Sequence, residues 1–430
     1  MRPLEPIYEP ALNRSIKVDA RANWILRPAP AARIEMVPAC ESPESNDRIR
    51  AYYMRSALCN AGTAVLEVNN LPALMHHVTW NRGKLKFAEE VTLSSPSGHR
   101  FIEAVTRSDP ETLKSVPRAK IGAKRFINVF ANEASGEDYN LPFIVDMRNG
   151  KNYFHFLSES LSQLAVAPRA LKTVYLLSRN RSRRSFVENF LATLFPEWDD
   201  RVLFLSEAVE FERAWLSYSF RLLLAQHKIP RFDRLIQAHI PSFSPRRALE
   251  RRSRRALAAF TLDHGLMRLR ERALIAAKGM AFAPPIPKIL VVRSADPALA
   301  RQRDTEGFSL LRASLRQKGF QEVVLEHLSP LEQIRLFNQA STVVAEHGAG
   351  IANMMFGSEK LHLIEIGTMQ TLRFRWGDFF QMAHASQCRY TTVFTDASGE
   401  PLEIASPPQG KLAPPKIGPA ALSAILDIVG

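Results

Sequence analysis

Three groups of residues in this chain have types and spacings that could do chemistry. The first is His347-Gly348-Ala349-Gly350 with Asn353 three residues on. Small residues at a tight turn let backbone come close to a ligand. A helix starting there offers free N–H groups and the positive end of a dipole, which suits an anion such as a phosphate. Glu365 follows near the end of the next strand, where α/β sheets hold ribose hydroxyls. The same stretch also fits an ordinary βαβ crossover whose glycines only make a turn. The second group is Arg293, Arg301 and Arg303. Arginine forks match phosphate oxygens and stay charged, although each of these alone also fits a solvated surface residue. The third group is His155 with Glu159, at i and i+4 on one face of an expected helix. A carboxylate beside an imidazole fixes its tautomer and raises its basicity, so the pair can serve as base plus orienter. It equally fits a surface pair or a satisfied core histidine.

These groups need elements to position them. Thr342-Val343-Val344 reads as a strand entering the glycine turn, Ile351 to Phe356 as a helix, and Leu361 to Ile366 as a second strand. Lys288 to Arg293 is a buried-type strand, followed by a helix over about Thr305–Lys318 and a strand over Glu322–Leu325. Ser329-Pro330-Leu331-Glu332 is a capping box with proline at the first helical position. Asn152 to Leu161 carries apolar residues three and four apart, as a helix does, and Leu171–Leu177 and Arg201–Leu205 read as strands. Strands alternating with helices predict doubly wound α/β units. The signals divide the chain into an irregular arm over 1–60 and a domain over 61–282 that opens with a β-rich prelude. A Pro-rich linker over 283–287, a second domain over 288–398, and a Pro-rich connector with a final helix over 399–430 complete it.

Composition sets the class. The 430 residues are 46% hydrophobic and 23% charged, as in globular proteins, and the net charge is +14. A basic surface favours polyanions, anionic lipid heads or phosphorylated substrates without choosing among them. The densest basic run, Arg246 to Arg255, lacks the interleaved aromatics of a nucleic-acid site, so no nucleic-acid partner is expected. It fits a solvated helix face, or peripheral contact with an anionic membrane surface. Three cysteines without a C-x-x-C pair point away from a disulfide framework or a cysteine zinc site and fit a reducing compartment. The N-terminus lacks the apolar core of a signal peptide, and no apolar run is long enough to span a bilayer. A cytoplasmic protein is expected, at most peripheral at the inner face of the membrane.

Several motifs together resemble one family. His347-Gly348-Ala349-Gly350-Ile351-Ala352-Asn353-Met354-Met355-Phe356, followed by Leu361 to Ile366, is similar to the H-G-A-G-L-T-N-x-x-F…V-x-E-I signature of glycosyltransferase family 61. Asn152-Tyr153-Phe154-His155-Phe156-Leu157 resembles that family's N-Y-Y-H-W-L. Val292-Arg293-Ser294 through Arg301 to Glu306 resembles its S-R-x-D…R-R-x-x-N-E stretch, and Leu328 to Ala340 resembles the lead-in to its glycine motif. Thr305 stands where the family usually has asparagine, Gln302 where a second arginine is usual, and Ala352 where threonine is common.

The resemblance implies a GT-B fold, two Rossmann-like doubly wound domains facing across a cleft. It implies inverting transfer of a sugar from a nucleotide-sugar donor to a saccharide or glycolipid acceptor in surface polysaccharide biosynthesis. Arg293, Arg301 and the residues His347, Gly348, Ala349, Gly350 and Asn353 would hold the donor diphosphate, and Glu365 the ribose. His155 would be the base with Glu159 as its partner, or Glu159 the base itself. No D-x-D carboxylate pair lies near these motifs, so no metal ion or other cofactor is expected. The alternative is a non-catalytic relative that binds nucleotide or polysaccharide with the same fold.

Overall fold

Parallel strands buried on both faces need apolar residues in both alternating sets, and the carboxy-terminal half of the chain supplies them. In a computed structural model of the chain, Arg33–Pro38 (β1), Lys288–Val292 (β2), Gln321–Val324 (β3), Thr342–Glu346 (β4), His362–Thr368 (β5) and Arg389–Ala397 (β6) form one parallel sheet. Its spatial order is β3-β2-β4-β5-β6, with β1 added on the far side of β6 and the short Pro415–Lys416 strand antiparallel to the end of β6. The structure describes residues 16–18, 27–56, 65–68, 70–81, 84–87, 127–129, 138–147, 150–178, 185–219, 261–279, 284–294, 296, 305–398 and 412–430. These fall into two compact units. One holds Pro30–Ser56 and the described residues from Ala273 on. The other holds the described residues up to Ala29 and from Val65 to Arg272.

In the first unit the period of two along each strand divides the sheet's residues between its faces. Leu290, Val344, Ile364, Ile366 and Val393 pack with Leu311 and Leu315 of helix Phe308–Gln317 and with Ala421 and Ile425 of helix Pro419–Val429. Glu365, Tyr390 and Thr392 belong to the alternate set. Helix Pro330–Gln339 is fixed by the capping box. Ser329 Oγ accepts from the Glu332 N–H, and Glu332 Oε2 accepts from the Ser329 N–H at 2.7 Å. The helix expected over Ile351–Phe356 is a 3-10 helix, Ala349–Phe356.

The arm expected to be irregular contains order. Arg33–Pro38 completes the sheet, pairing Arg33 with Arg389 through Pro38 with Phe394, and Pro43–Ser56 is a helix. The strand is held by side chains as well as by its ladder. Glu35 Oε2 accepts from Arg389 Nε at 2.9 Å and from Thr391 Oγ1 at 3.2 Å, and the Ala32 N–H donates to Nδ1 of buried His384 at 3.0 Å.

The second unit carries a mixed sheet. Its order is Val202–Leu205, Val174–Leu177, Phe143–Asp146, Val209–Ser219, Asn70–Asn81 and Lys84–Phe87. The first four run parallel to their neighbours, and the last two pairings are antiparallel. A separate small sheet joins Thr261–Asp263, Val65–Val68 and Arg27–Ala29. Among the described residues no helix is long and apolar enough to cross a membrane. The basic runs Arg179–Arg184 and Arg246–Arg255 lie outside the described residues.

His362 at the start of β5 gives a measurable consequence. Its Nε2 lies 2.8 Å from Thr391 Oγ1. Burial, and then the positive charge of Arg389, push its pKa down from 6.5 to about 4. As pH falls from 6.5 towards 4, the unfolded chain therefore takes up a proton that the folded chain refuses. This contribution to stability is complete above pH 6.5 and is lost across that window. We expect His362→Gln to flatten the fall in stability between pH 6.5 and 4 by at most about 3 kcal/mol, less what solvent screening removes. Urea titrations of both proteins at pH 7 and pH 4.5 measure it, and parallel slopes would contradict it.

Candidate functional site

In an open α/β sheet, ligands bind beyond the carboxyl ends of the strands, where the chain's direction across the sheet reverses. In the β1–β6 sheet that point lies between β2 and β4. From β2 the chain goes to β3 on one side and then to β4 on the other. The residues immediately after β2 and β4 are Arg293 and His347. The register pairs Val291 with Ala345, so these two follow side by side.

Arg293 is set into this gap by three features. Its guanidinium NH2 donates to the His347 carbonyl at 3.2 Å. Its Nε lies 3.6 Å from Glu346 Oε2, and Glu346 also accepts from Thr305 Oγ1. Gly348 is extended, with φ of 178°, a conformation open to any residue. What requires glycine is the neighbour, because a Cβ there would lie 2.7 Å from the Arg293 guanidinium. Gly350 is likewise closed in, 2.9 Å from Leu325 at the position of a Cβ. Gly348, Ala349 and Gly350 are half-buried. Together the turn presents a fixed arginine beside small residues, a setting that suits a phosphate.

His347 and Glu365 form one network. His347 is 8% exposed and Glu365 is fully buried. Nδ1 of His347 lies 2.5 Å from Glu365 Oε1. Glu365 Oε2 accepts from the Tyr390 hydroxyl at 2.5 Å and from Thr392 Oγ1 at 3.0 Å. The geometry follows from the sheet. Glu365 pairs with Thr392 across β5 and β6, and Tyr390, two residues earlier, shares the same face. Trp376 Nε1 donates to Thr392 Oγ1 at 3.2 Å. Burial, and then the neighbouring Glu365, hold the Tyr390 phenol well above its usual pKa of 10. The strand position of Glu365 suggests a ribose contact, but here both its oxygens are engaged by protein groups. It reaches the turn through His347.

Asn353 is also drawn inward. It is fully buried, and its Nδ2 donates to Gln333 Oε1 at 3.1 Å. Gln333 Nε2 in turn donates to the carbonyls of Leu325 and Leu328. Asn353 thus ties the 3-10 helix to helix Pro330–Gln339 and to the turn before it. Arg301 and Arg303 lie outside the described residues. The structure brings Arg293 against the glycine turn, and the residues that join them, Tyr390, Thr392, Glu346 and Trp376, are not ones that reading by residue type singles out. The alternation placing Tyr390 and Thr392 beside Glu365 was the available signal, but it needs the β5–β6 register.

The other unit has its own switch point. From Phe143–Asp146 the chain goes to Val174–Leu177 and Val202–Leu205 on one side, then returns as Val209–Ser219 on the other. The helix directly after Phe143–Asp146 carries His155 and Glu159. It starts at Asn152, whose side chain accepts from the His155 N–H at 3.3 Å. One α turn over Tyr153–His155 widens into a π turn over Phe156–Leu161 before α geometry resumes at Ser162–Leu164. Such bulges are rare and recur at functional sites. Serine side chains bond back to the backbone through it, Ser158 to the Phe154 carbonyl at 2.7 Å and Ser162 to the Ser158 carbonyl at 2.5 Å. His155 Nδ1 and Glu159 Oε1 are 3.1 Å apart, within ion-pair distance but not aligned as a hydrogen bond. Both side chains are partly exposed, at 28% and 19%. Catalytic pairs are often this loose before a substrate aligns them.

Substituting Gly348 separates site from scaffold. In Gly348→Ala the group that must move is the tip of a flexible side chain. We expect a melting temperature within a few degrees of the parent, together with about tenfold weaker binding of uridine or guanosine diphosphate. In Gly307→Ala, by contrast, a φ of +78° and the Ile417 carbonyl 2.1 Å from the added Cβ leave no room, and stability should fall. Calorimetric titration and thermal melts of both variants distinguish the two effects. Unchanged affinity in Gly348→Ala would remove the turn from the site.

Comparison with curated proteins finds no match. The family model described as Glycosyltransferase 61 matches residues 153–364. The matched stretch opens one residue after the Asn152 cap, runs through Arg293 and the glycine turn, and ends within β5 at Ile364. It therefore takes in the histidine helix of one unit and the arginine–glycine turn of the other, and by this match the chain carries a glycosyltransferase family 61 domain over residues 153–364.

Proposed function

We propose that this protein is an inverting glycosyltransferase that moves a sugar from a nucleotide-sugar donor to a saccharide or glycolipid acceptor. The observation that carries the reading is the same placement twice over. Within each unit, the candidate residues stand at that unit's own switch point. The GT-B layout is part of the proposal, and its support is that each unit contains a run of parallel strands reversing direction about one strand.

The chemistry assigns a step to each group. Arg293 and the half-buried turn at His347, Gly348, Ala349 and Gly350 hold the donor diphosphate and take up the charge that develops as it leaves. Arg301 joins them on the strength of the motif it belongs to. The acceptor hydroxyl oxygen attacks the anomeric carbon, and the bond from that carbon to the diphosphate oxygen breaks on the opposite face. The hydroxyl proton passes to His155, with Glu159 holding the imidazole, or to Glu159 itself. Arginine and backbone N–H groups supply the positive field, so the reading includes transfer without an obligatory metal ion. Building a surface polysaccharide at the inner face of a membrane is the setting in which glycolipid acceptors and a basic chain fit together. The alternative of a non-catalytic binder predicts nucleotide binding without turnover.

The test is His155→Ala alongside Glu159→Gln, assayed with whichever nucleotide sugar the protein binds. Removing the base should lower kcat by about a hundredfold or more while leaving the dissociation constant for the nucleoside diphosphate within about twofold. Glu159→Gln should lower kcat less if it only orients His155, and as much if it is the base. Near-normal turnover in His155→Ala and Glu159→Gln alike would exclude the pair.

A further inference from the structure

We propose that Tyr390 and Thr392 are positioning residues: through Glu365 they fix the ring of His347 with a proton on Nδ1, and so set the orientation of that ring beside the glycine turn. The argument starts from donors and acceptors. An indole N–H can only donate, so Trp376 occupies an acceptor position of the Thr392 hydroxyl and leaves its hydrogen for Glu365. The Tyr390 hydroxyl donates to the same Oε2. Burial and the adjacent Glu365 keep that phenol protonated, so it stays a donor at any ordinary pH. With Oε2 accepting twice, Oε1 is left as the acceptor facing His347 Nδ1 at 2.5 Å. The ring is further packed against Phe379, with centroids 5.5 Å apart, which limits rotation about its axis. The backbone of His347 is held as well, because its N–H donates to the Ile366 carbonyl at 2.9 Å and its carbonyl accepts from Arg293.

One residue therefore couples the sheet to the turn. The chain of bonds runs from Trp376 through Thr392 to Glu365, is joined there by Tyr390, and continues to His347. Carboxylate–imidazole pairs fix tautomers in this way wherever a ring nitrogen must meet a ligand in one protonation state. The consequence for donor binding rests on the donor-site reading above, whereas the tautomer itself does not.

The experiment uses the full chain labelled with nitrogen-15 at histidine, with His347→Gln to assign the ring signals. The wild type should show His347 protonated on Nδ1. Tyr390→Phe together with Thr392→Val should shift these signals towards a mixture of tautomers. If the double variant does not fold, the isosteric Tyr390→Phe alone should move the Nδ1 signal in the same direction. A wild-type ring without a proton on Nδ1, or signals unmoved in a folded variant, would overturn the proposal. A second arm measures uridine and guanosine diphosphate affinity. Tyr390→Phe should weaken binding several-fold, and Tyr390→Trp, which lacks the hydroxyl position, should not restore it. If the wild type binds neither diphosphate while the Nδ1 tautomer holds and responds to Tyr390→Phe, the donor-site reading has failed and the positioning chain stands.

Discussion

A carboxylate buried inside a parallel sheet is costly unless donors converge on it, and Glu365 has three. That requirement organises the β1–β6 unit. It explains why a tyrosine and a threonine occupy neighbouring inward positions on β6, where aliphatic residues would pack more simply. It explains the buried Trp376, whose indole N–H secures the threonine. It also fixes His347 at the mouth of the turn. Removing a single donor would leave a buried polar group short of a partner, a loss of about 1–3 kcal/mol. The network is thus costly to dismantle in part, which suits a group whose placement sets a binding site.

The second constraint is topological. A parallel sheet that winds in both directions leaves a gap beyond its strand ends at the point of reversal. In the β1–β6 unit, Arg293 and His347 flank that gap on adjacent strands, and Gly348 gives the guanidinium space to lie across it. In the other unit the corresponding strand is followed directly by the capped helix bearing His155 and Glu159. Its π turn changes the projection of the side chains after His155 without breaking the helix. Local propensity alone would favour an uninterrupted α helix there, and the serine-to-backbone bonds within it are of the kind that bends a helix.

How much was legible in the sequence follows from where each signal resides. Strands β2 and β4 and the capped helix at Pro330 announce themselves through contiguous apolar runs and a reciprocal cap. Arg33–Pro38 does not, because it is short, sits among prolines and finds its partner more than 350 residues away at Arg389. Asn70–Asn81 is a 12-residue strand that contains Pro72 and lacks alternation, so neighbouring strands rather than its own pattern define it. Between β5 and β6 the chain forms two short helices, Met369–Phe374 and Phe380–Ser386, separated near Gly377 with its φ of +98°, a break that its apolar residues do not announce. At the site, Arg293 and the glycine turn were visible because their chemistry is written in residue type. The inward roles of Glu365 and Asn353 were not, since a carboxylate or amide reads alike whether it faces a ligand or a neighbouring strand.

The central claim is that the turn joining Arg293 to His347–Gly350 grips a nucleoside diphosphate. A thermal-shift screen of the full chain against nucleoside diphosphates and nucleotide sugars, with and without EDTA, tests it most directly, because a ligand that binds only the folded state raises the melting temperature. The account predicts a concentration-dependent rise with one nucleotide family, unchanged by EDTA and diminished in Arg293→Ala. No rise with any nucleotide, or a rise equal in Arg293→Ala, would contradict it.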